Sequence, residues 1–195
     1  MTWDGRALCW GNNSCGQCGL PASQAVHVAD PTGVQLPLGQ LALSISAGLE
    51  HVACVSVSGE VLCWGSNRRG QLGTPHAAIS CWQGVGWRHF CLGADSQSPV
   101  AIVRHQHCAG FSQVACGGNH TVAVSGHGDV FAWGFNAHGQ CGPGKDAEQD
   151  LRTGGGDCRV DATEAMSVVK VCAGANFTLA ITPQGRPTSR VLCAR

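Results

Sequence analysis

Leu62-Cys63-Trp64-Gly65-Ser66-Asn67-Arg68-Arg69-Gly70-Gln71-Leu72-Gly73 is one of three copies of a single pattern, the others being LCWGNNSCGQCG over residues 8–19 and FAWGFNAHGQCG over residues 131–142. Trp10, Trp64 and Trp133 are each followed by glycine and, at the third place, by Asn13, Asn67 or Asn136. Gly16-Gln17, Gly70-Gln71 and Gly139-Gln140 come next, closed by Gly19, Gly73 and Gly142. A second pattern stands 13 residues ahead of the tryptophan, as SAGLEHVACV with His51 and ACGGNHTVAV with His120; CAGANFTLAI repeats it with Phe177 in the histidine's place. Repetition of this kind means a stack or ring of equivalent units.

Gly59 and Gly128 fall eight residues after His51 and His120, between apolar runs of strand length, so each unit reads as strand, glycine turn, strand. The tryptophans are 54 and 69 residues apart, close to the ~50-residue unit of a kelch-type propeller blade and unlike a helical solenoid. A recurrent tryptophan at a strand end packs between neighbouring blades and needs an acceptor for its indole N–H. Asparagine tolerates left-handed geometry and bonds nearby backbone, and the glutamine is placed to tie its loop to the next turn. These readings predict an all-β partial propeller of about three antiparallel blades with long loops. Its repeat cores lie at about 3–20, 44–75, 112–143 and 169–186, with an enlarged loop over 76–110.

Twelve Lys and Arg balance twelve Asp and Glu, and only 12% of residues are charged, so no basic surface calls for nucleic acid or anionic lipid. Twenty-eight glycines and no tyrosine suit tight turns between short strands. The opening MTWDGRALCWGNN lacks a basic segment followed by an apolar run, and no stretch approaches a membrane span. Thirteen cysteines without a secretory signal point to a reducing compartment, cytoplasm or nucleus.

The W-G-x-N-x-x-G-Q-x-G run and the A-G-x-x-H ahead of it resemble the repeats of the regulator of chromosome condensation family, over about residues 3 to 185 with an interruption around 76 to 98. The resemblance implies four-stranded blades in a propeller that is seven-bladed in that family. Asp4-Gly5-Arg6-Ala7-Leu8-Cys9-Trp10 aligns with the turn and second strand of the other units, and Arg190 stands in the place of a fourth tryptophan. Three tryptophan motifs fall below the four to eight blades that close a propeller. A fragment, a truncated product or a degenerate member is therefore expected, open to self-association through its uncovered blade faces.

Cys15-x-x-Cys18 has zinc-ligand spacing, but the repeat alignment gives most cysteines small-residue places. Cys9 and Cys63 align with Ala132, Cys54 with Ala123 and Ala180, Cys116 with Ala47 and Ala173, Cys172 with Ser46 and Ala115, and Cys18 and Cys141 with Leu72. They read as core residues. Cys81, His89, Cys91, His105, His107 and Cys108 form the one cluster with enough ligands for zinc, without a standard spacing. Gly86-Trp87-Arg88-His89 is similar to a G-W-R-H signature of plant ultraviolet-B photoreceptors built from the same repeats. A light-absorbing site needs several such tryptophans, and a decayed blade in which His89 replays His51 and His120 accounts for this single one. Asp146, Glu148, Asp150, Asp157, Asp161 and Glu164 crowd a glycine-rich loop that lacks the glycine of a calcium-binding loop.

No catalytic or cofactor motif emerges, and the expected function is protein–protein interaction through the loops 20–43, 74–110 and 143–168. The resemblance implies a second possibility, guanine nucleotide exchange on a small GTPase of the Ran type, which involves no covalent chemistry. A zinc or redox role for the 76–110 cluster is the third.

Overall fold

Short runs of valine, alanine and cysteine between glycine turns have the composition of buried strands. The computed structural model describes residues 2, 4–73, 96–103, 110–142, 167–183 and 187–188. Among them lie β1 (Leu8–Asn12), β2 (His27–Gly33), β3 (Ala42–Ala47), β4 (His51–Ser56), β5 (Val61–Gly65) and β6 (Ser96–Val103). They are followed by β7 (Phe111–Cys116), β8 (His120–Ser125), β9 (Val130–Gly134), β10 (Lys170–Ala173), β11 (Thr178–Ile181) and β12 (Pro187–Thr188). A 3-10 turn, Pro37–Gly39, precedes β3.

The strands form four antiparallel sheets in the orders β1-β2, β3-β4-β5-β6, β7-β8-β9 and β10-β11-β12. Register repeats along with the sequence. His51 faces Gly65 and Val52 faces Trp64 across β4 and β5; His120 faces Gly134 and Thr121 faces Trp133 across β8 and β9. Ala47 opposite Val52, Cys116 opposite Thr121 and Ala173 opposite Thr178 place the first two strands of three sheets in register as well. By this equivalence β3–β6 is a full four-stranded blade, β7–β9 and β10–β12 hold the first three places of a blade, and β1–β2 hold the third and fourth.

Two strands lie where loops are expected. β2 falls within 20–43, and β6, which contains Pro99 and Val100, falls within the enlarged loop 76–110 and pairs with β5. Both are outermost strands, HVADPTG and SQSPVAIV. Only an edge tolerates a proline that cannot donate to the ladder, so strand propensity is weakest there.

The apolar cores sit between sheets. Side chains alternate along β4: Val52 and Cys54 pack toward the first sheet with Ala7, Leu36 and Trp64, while Ala53 and Val55 pack toward the third with Phe111, Val114 and Trp133. A third core joins Val122 and Val124 to Val168 and Val171. Every residue of β4, β5, β8 and β9 is consequently buried. The outer sheets keep one face open: Trp10 is 61% exposed at one end, and Phe177, Leu179 and Ile181 are 42%, 38% and 39% exposed at the other.

Candidate functional site

The repeat signature builds one loop three times. Asn13, Asn67 and Asn136 accept through Oδ1 from the amides of Cys18, Leu72 and Cys141 at 2.9, 3.0 and 2.9 Å. Gln17, Gln71 and Gln140 turn their Oε1 back to the amides of Cys15, Arg69 and His138 at 2.8, 2.7 and 2.9 Å. The glutamine side chain thus closes its own loop, and Gln71 also reaches the next blade, its Nε2 donating to Asn119 Oδ1 at 3.5 Å. Gly16, Gly70 and Gly139 sit between asparagine and glutamine at φ 77°, 74° and 75°, a left-handed bend that a side chain would strain.

The glutamine main chain crosses to the next blade as well. The Trp64 indole donates to Gln17 O at 2.9 Å, and the Trp133 indole donates to Gln71 O at 3.0 Å. The Thr121 hydroxyl donates to the same Gln71 carbonyl at 2.8 Å, and Thr178 does so to Gln140 O at 2.8 Å. With its proton engaged, the threonine oxygen accepts from histidine of the preceding blade: His51 Nε2 lies 3.0 Å from Thr121 Oγ1, and His120 Nε2 lies 3.1 Å from Thr178 Oγ1. This order puts the imidazole proton on Nε2 in both. The histidines therefore bridge blades.

Glycine makes room for this ring. An added Cβ on Gly117 would meet His120 Cε1 and lie 2.6 Å from Gly174 O on the next blade; Gly48 stands in the same relation to His51 and Gly117. At this inner rim Leu49 N donates to Gly118 O at 3.2 Å and Gly118 N to Ala175 O at 3.0 Å. Gln113 adds a two-way amide bridge, giving Nε2 to Val171 O and accepting from Val171 N, each at 3.0 Å.

Burial sets the chemistry of these groups. His51, Gln71 and His120 are at most 1% exposed, and burial pulls both imidazoles down to about 4, with His120 adding repulsion on His51. Their Nδ1 atoms have no partner among the described residues. Burial raises Cys9 to about 11 and Cys54 and Cys116 to about 12, which keeps these thiols protonated and unreactive. Cys15 and Cys18 are buried free thiols, and Cys18 Sγ points to Asn12 O at 3.5 Å. Among the described residues no three His, Cys, Asp or Glu are grouped to hold a metal ion. Cys81, His89, Cys91, His105, His107 and Cys108 lie outside the described residues, as do Gly86-Trp87-Arg88-His89 and the acidic segment. Among the described residues no helix is long and apolar enough to cross a membrane.

What the loops show outward differs from repeat to repeat. The variable places of the second and third copies bring Arg69 over the Phe135 ring at 5.2 Å, with the His138 ring edge-on to Phe135 at 5.9 Å. Arg68, Arg69 and His138 are exposed. The repeat pattern does not announce this cluster, because Arg69 stands 66 and 69 residues from Phe135 and His138 and all three occupy positions that the repeat leaves free. Aromatic and guanidinium groups held on locked loops are the kind of contact that dominates protein interfaces.

Comparison with known proteins gives matches along most of the chain. The Regulator of chromosome condensation (RCC1) repeat matches residues 4–55, 58–124 and 127–181, and a second profile of the same repeat matches 43–71 and 111–140. The chain is 31% identical over 177 residues to the Ultraviolet-B receptor UVR8 of Arabidopsis thaliana, covering 90% of this chain and 35% of the receptor. It is 30% identical over 152 residues to the Secretion-regulating guanine nucleotide exchange factor of Bos taurus, covering 76% of this chain and 31% of that protein. Yeast RCC1 (Prp20), in a crystal structure with Kap60 bound to it, superposes with a TM-score of 0.71 at 25% identity, covering 90% of this chain and 37% of that chain. The chain spans about a third of the length of these relatives.

Proposed function

This chain belongs to the Regulator of chromosome condensation (RCC1) repeat family, and from that premise we propose that it is a protein-binding module whose contact surface is the loop face bearing Arg68, Arg69, Phe135 and His138. One observation carries the reading: the recurrent signature residues of the two inner blades close their own loops or join neighbouring blades, while the places free to vary carry the Arg69–Phe135–His138 cluster on the outside. Such a surface recognises a partner without chemistry of its own, and the yeast RCC1 structure, with Kap60 bound, provides a related scaffold in a protein complex. A photoreactive residue at Ala137, which is exposed beside His138, tests it in cells. Discrete protein adducts that vanish with Arg69→Ala support the proposal; adducts indifferent to Arg69 and Phe135 defeat it.

Guanine nucleotide exchange is the second reading, favoured by the 30% identity to the bovine exchange factor. Release of fluorescent GDP from a Ran-type GTPase, accelerated by the purified chain, is the expected result; an unchanged release rate rules the activity out for this chain. The buried free thiols Cys54, Cys63 and Cys116 support work in a reducing compartment, cytoplasm or nucleus.

A further inference from the structure

Resting on the reading of the loop face as a protein contact, we propose that this face takes an acidic peptide segment with an apolar side chain, its carboxylates on Arg68 and Arg69 and its apolar group on Leu49. The two places between the asparagine and the bend glycine read Ser14-Cys15, Arg68-Arg69 and Ala137-His138 in the three copies of the loop. Two adjacent guanidiniums thus stand on one blade only, both exposed, and among the described residues neither takes part in an ion pair. Their loop is held from within, Leu72 N donating to Asn67 Oδ1 at 3.0 Å and Arg69 N to Gln71 Oε1 at 2.7 Å. The Phe135 ring, 5.2 Å from the Arg69 guanidinium carbon, restrains that group while its N–H donors remain for a planar acceptor such as a carboxylate.

An apolar residue completes the strip. Leu49 is 71% exposed and stands where the other copies have Gly118 and Ala175, so a large side chain occupies this place of the inner rim on one blade only. Hydrogen bonds in succession tie it to the arginines across one blade junction. Leu49 N donates to Gly118 O at 3.2 Å; the next residue, Asn119, accepts Phe135 N on its carbonyl at 2.8 Å and Gln71 Nε2 on Oδ1 at 3.5 Å; and Gln71 Oε1 holds Arg69 N. This fastening sets the spacing of Leu49, Arg69 and Phe135 before any partner arrives, so little of the ordering cost of binding falls on this chain. Charge then selects the partner. Glu50, half-buried beside Leu49, is a lone carboxylate against two guanidiniums along the strip, so a run of carboxylates is drawn to the arginine end and the apolar residue falls at the Leu49 end. Single-stranded nucleic acid fits less well: the half-buried Phe135 ring, with Arg69 over its face and the His138 ring edge-on, offers little platform for base stacking, and the chain has no net charge to hold a phosphate backbone.

The test is fluorescence anisotropy of the full chain with a set of labelled peptides, each carrying one leucine at a varied distance from a run of glutamates, beside their lysine counterparts and oligo-dT. Glutamate peptides are expected to bind best at one leucine spacing, with affinity falling as salt rises. Arg68→Glu and Arg69→Glu are each expected to weaken binding about tenfold or more, Arg69→Lys less than Arg69→Glu, and Leu49→Ala about three- to tenfold. All three positions are exposed, and alanine already fills the Leu49 place in another copy, so the far-ultraviolet circular dichroism of each variant should match the parent. Binding indifferent to Leu49→Ala overturns the apolar end of the strip. Lysine peptides that bind as well as glutamate peptides, or oligo-dT that binds more tightly, overturn the acidic assignment. Failure of every glutamate peptide alongside Ala137 adducts that need Arg69 overturns this proposal alone, and the loss of those adducts as well removes the protein-contact reading with it.

Discussion

Removing the indole of Trp133 probes the junction where its geometry is most complete. The side chain is 1% exposed, packs with Ala53, Val55, Phe111 and Phe131, and donates to Gln71 O at 3.0 Å. Trp133→Ala empties a space that neighbouring sheets, pinned by their own backbone bridges, fill poorly, and such losses cost ~3–5 kcal/mol. The hydrogen bond is a smaller share, ~1 kcal/mol, since Gln71 O keeps the Thr121 hydroxyl as a donor. Trp133→Phe, which retains most of the apolar volume, should therefore cost roughly 1–2 kcal/mol. Urea denaturation followed by circular dichroism is the assay. With a slope of about 2 kcal/mol per molar for a domain of this size, Trp133→Ala lowers the midpoint by about 2 M and Trp133→Phe by less than about 1 M. A Trp133→Ala midpoint at the wild-type value would refute burial at the junction as the source of stability. Equal damage by the two variants would refute the assignment of weight to packing over the hydrogen bond.

Three further outcomes follow from the same geometry. His51 and His120 titrate near 4 when folded and near 6.5 when unfolded, so the unfolded chain binds more protons between those values and stability falls as pH drops through that window; denaturation midpoints across pH should show it, and His51→Gln should lessen the slope by up to ~1.4 kcal/mol per pH unit, the share of one proton. Gly117→Ala, whose Cβ would strike the His120 ring and Gly174 O, should lower the melting temperature by ten degrees or so, for a cost of roughly 3 kcal/mol or more. Gly33→Ala, with nothing within 4 Å of its added Cβ, should change stability by less than ~0.5 kcal/mol, and equal melting of the two variants would contradict the close-packed inner rim. Iodoacetamide footprinting should label exposed Cys172 long before Cys54, Cys63 and Cys116, and rapid labelling of Cys116 in the native chain would contradict its burial.

The sequence carried the two middle strands of each blade plainly, because those strands and the turn between them recur: the tryptophan, the glycines around it and the histidine opposite all hold places that one geometry demands. Cys9, Cys54, Cys63 and Cys116, standing where other copies have alanine, pack in the cores between sheets, whereas Cys172, expected in a core by the same alignment, is exposed because it lies on an outer sheet. β2 and β6 escaped notice because an outermost strand answers to no second neighbour, so nothing forces its side chains to recur, and proline and aspartate are admitted. The partners of the signature side chains were less accessible still. That an indole needs an acceptor follows from its chemistry, but that the acceptor is Gln71 O of the preceding repeat, shared with Thr121, is a relation between chain segments 50 and 62 residues apart. Repetition along one chain reveals which residues matter; it does not say which copy each one touches.

The shared glutamine carbonyl also bears on how such a repeat tolerates change in length. Each bridge described between blades starts or ends on the first three strands or on the Trp-Gly-x-Asn loop, and every one of those parts lies ahead of Gly19, Gly73 or Gly142 in its own copy or resumes at the following blade. None of these hydrogen-bonded bridges uses a described residue between that glycine and the next first strand. Spacings of 54 and 69 residues between successive tryptophans thus coexist with the same register and the same indole-to-carbonyl distance within 0.1 Å. Evolution can lengthen or rewrite that connection as a cassette, altering what the molecule displays to its surroundings while each hub-to-hub coupling is inherited unchanged.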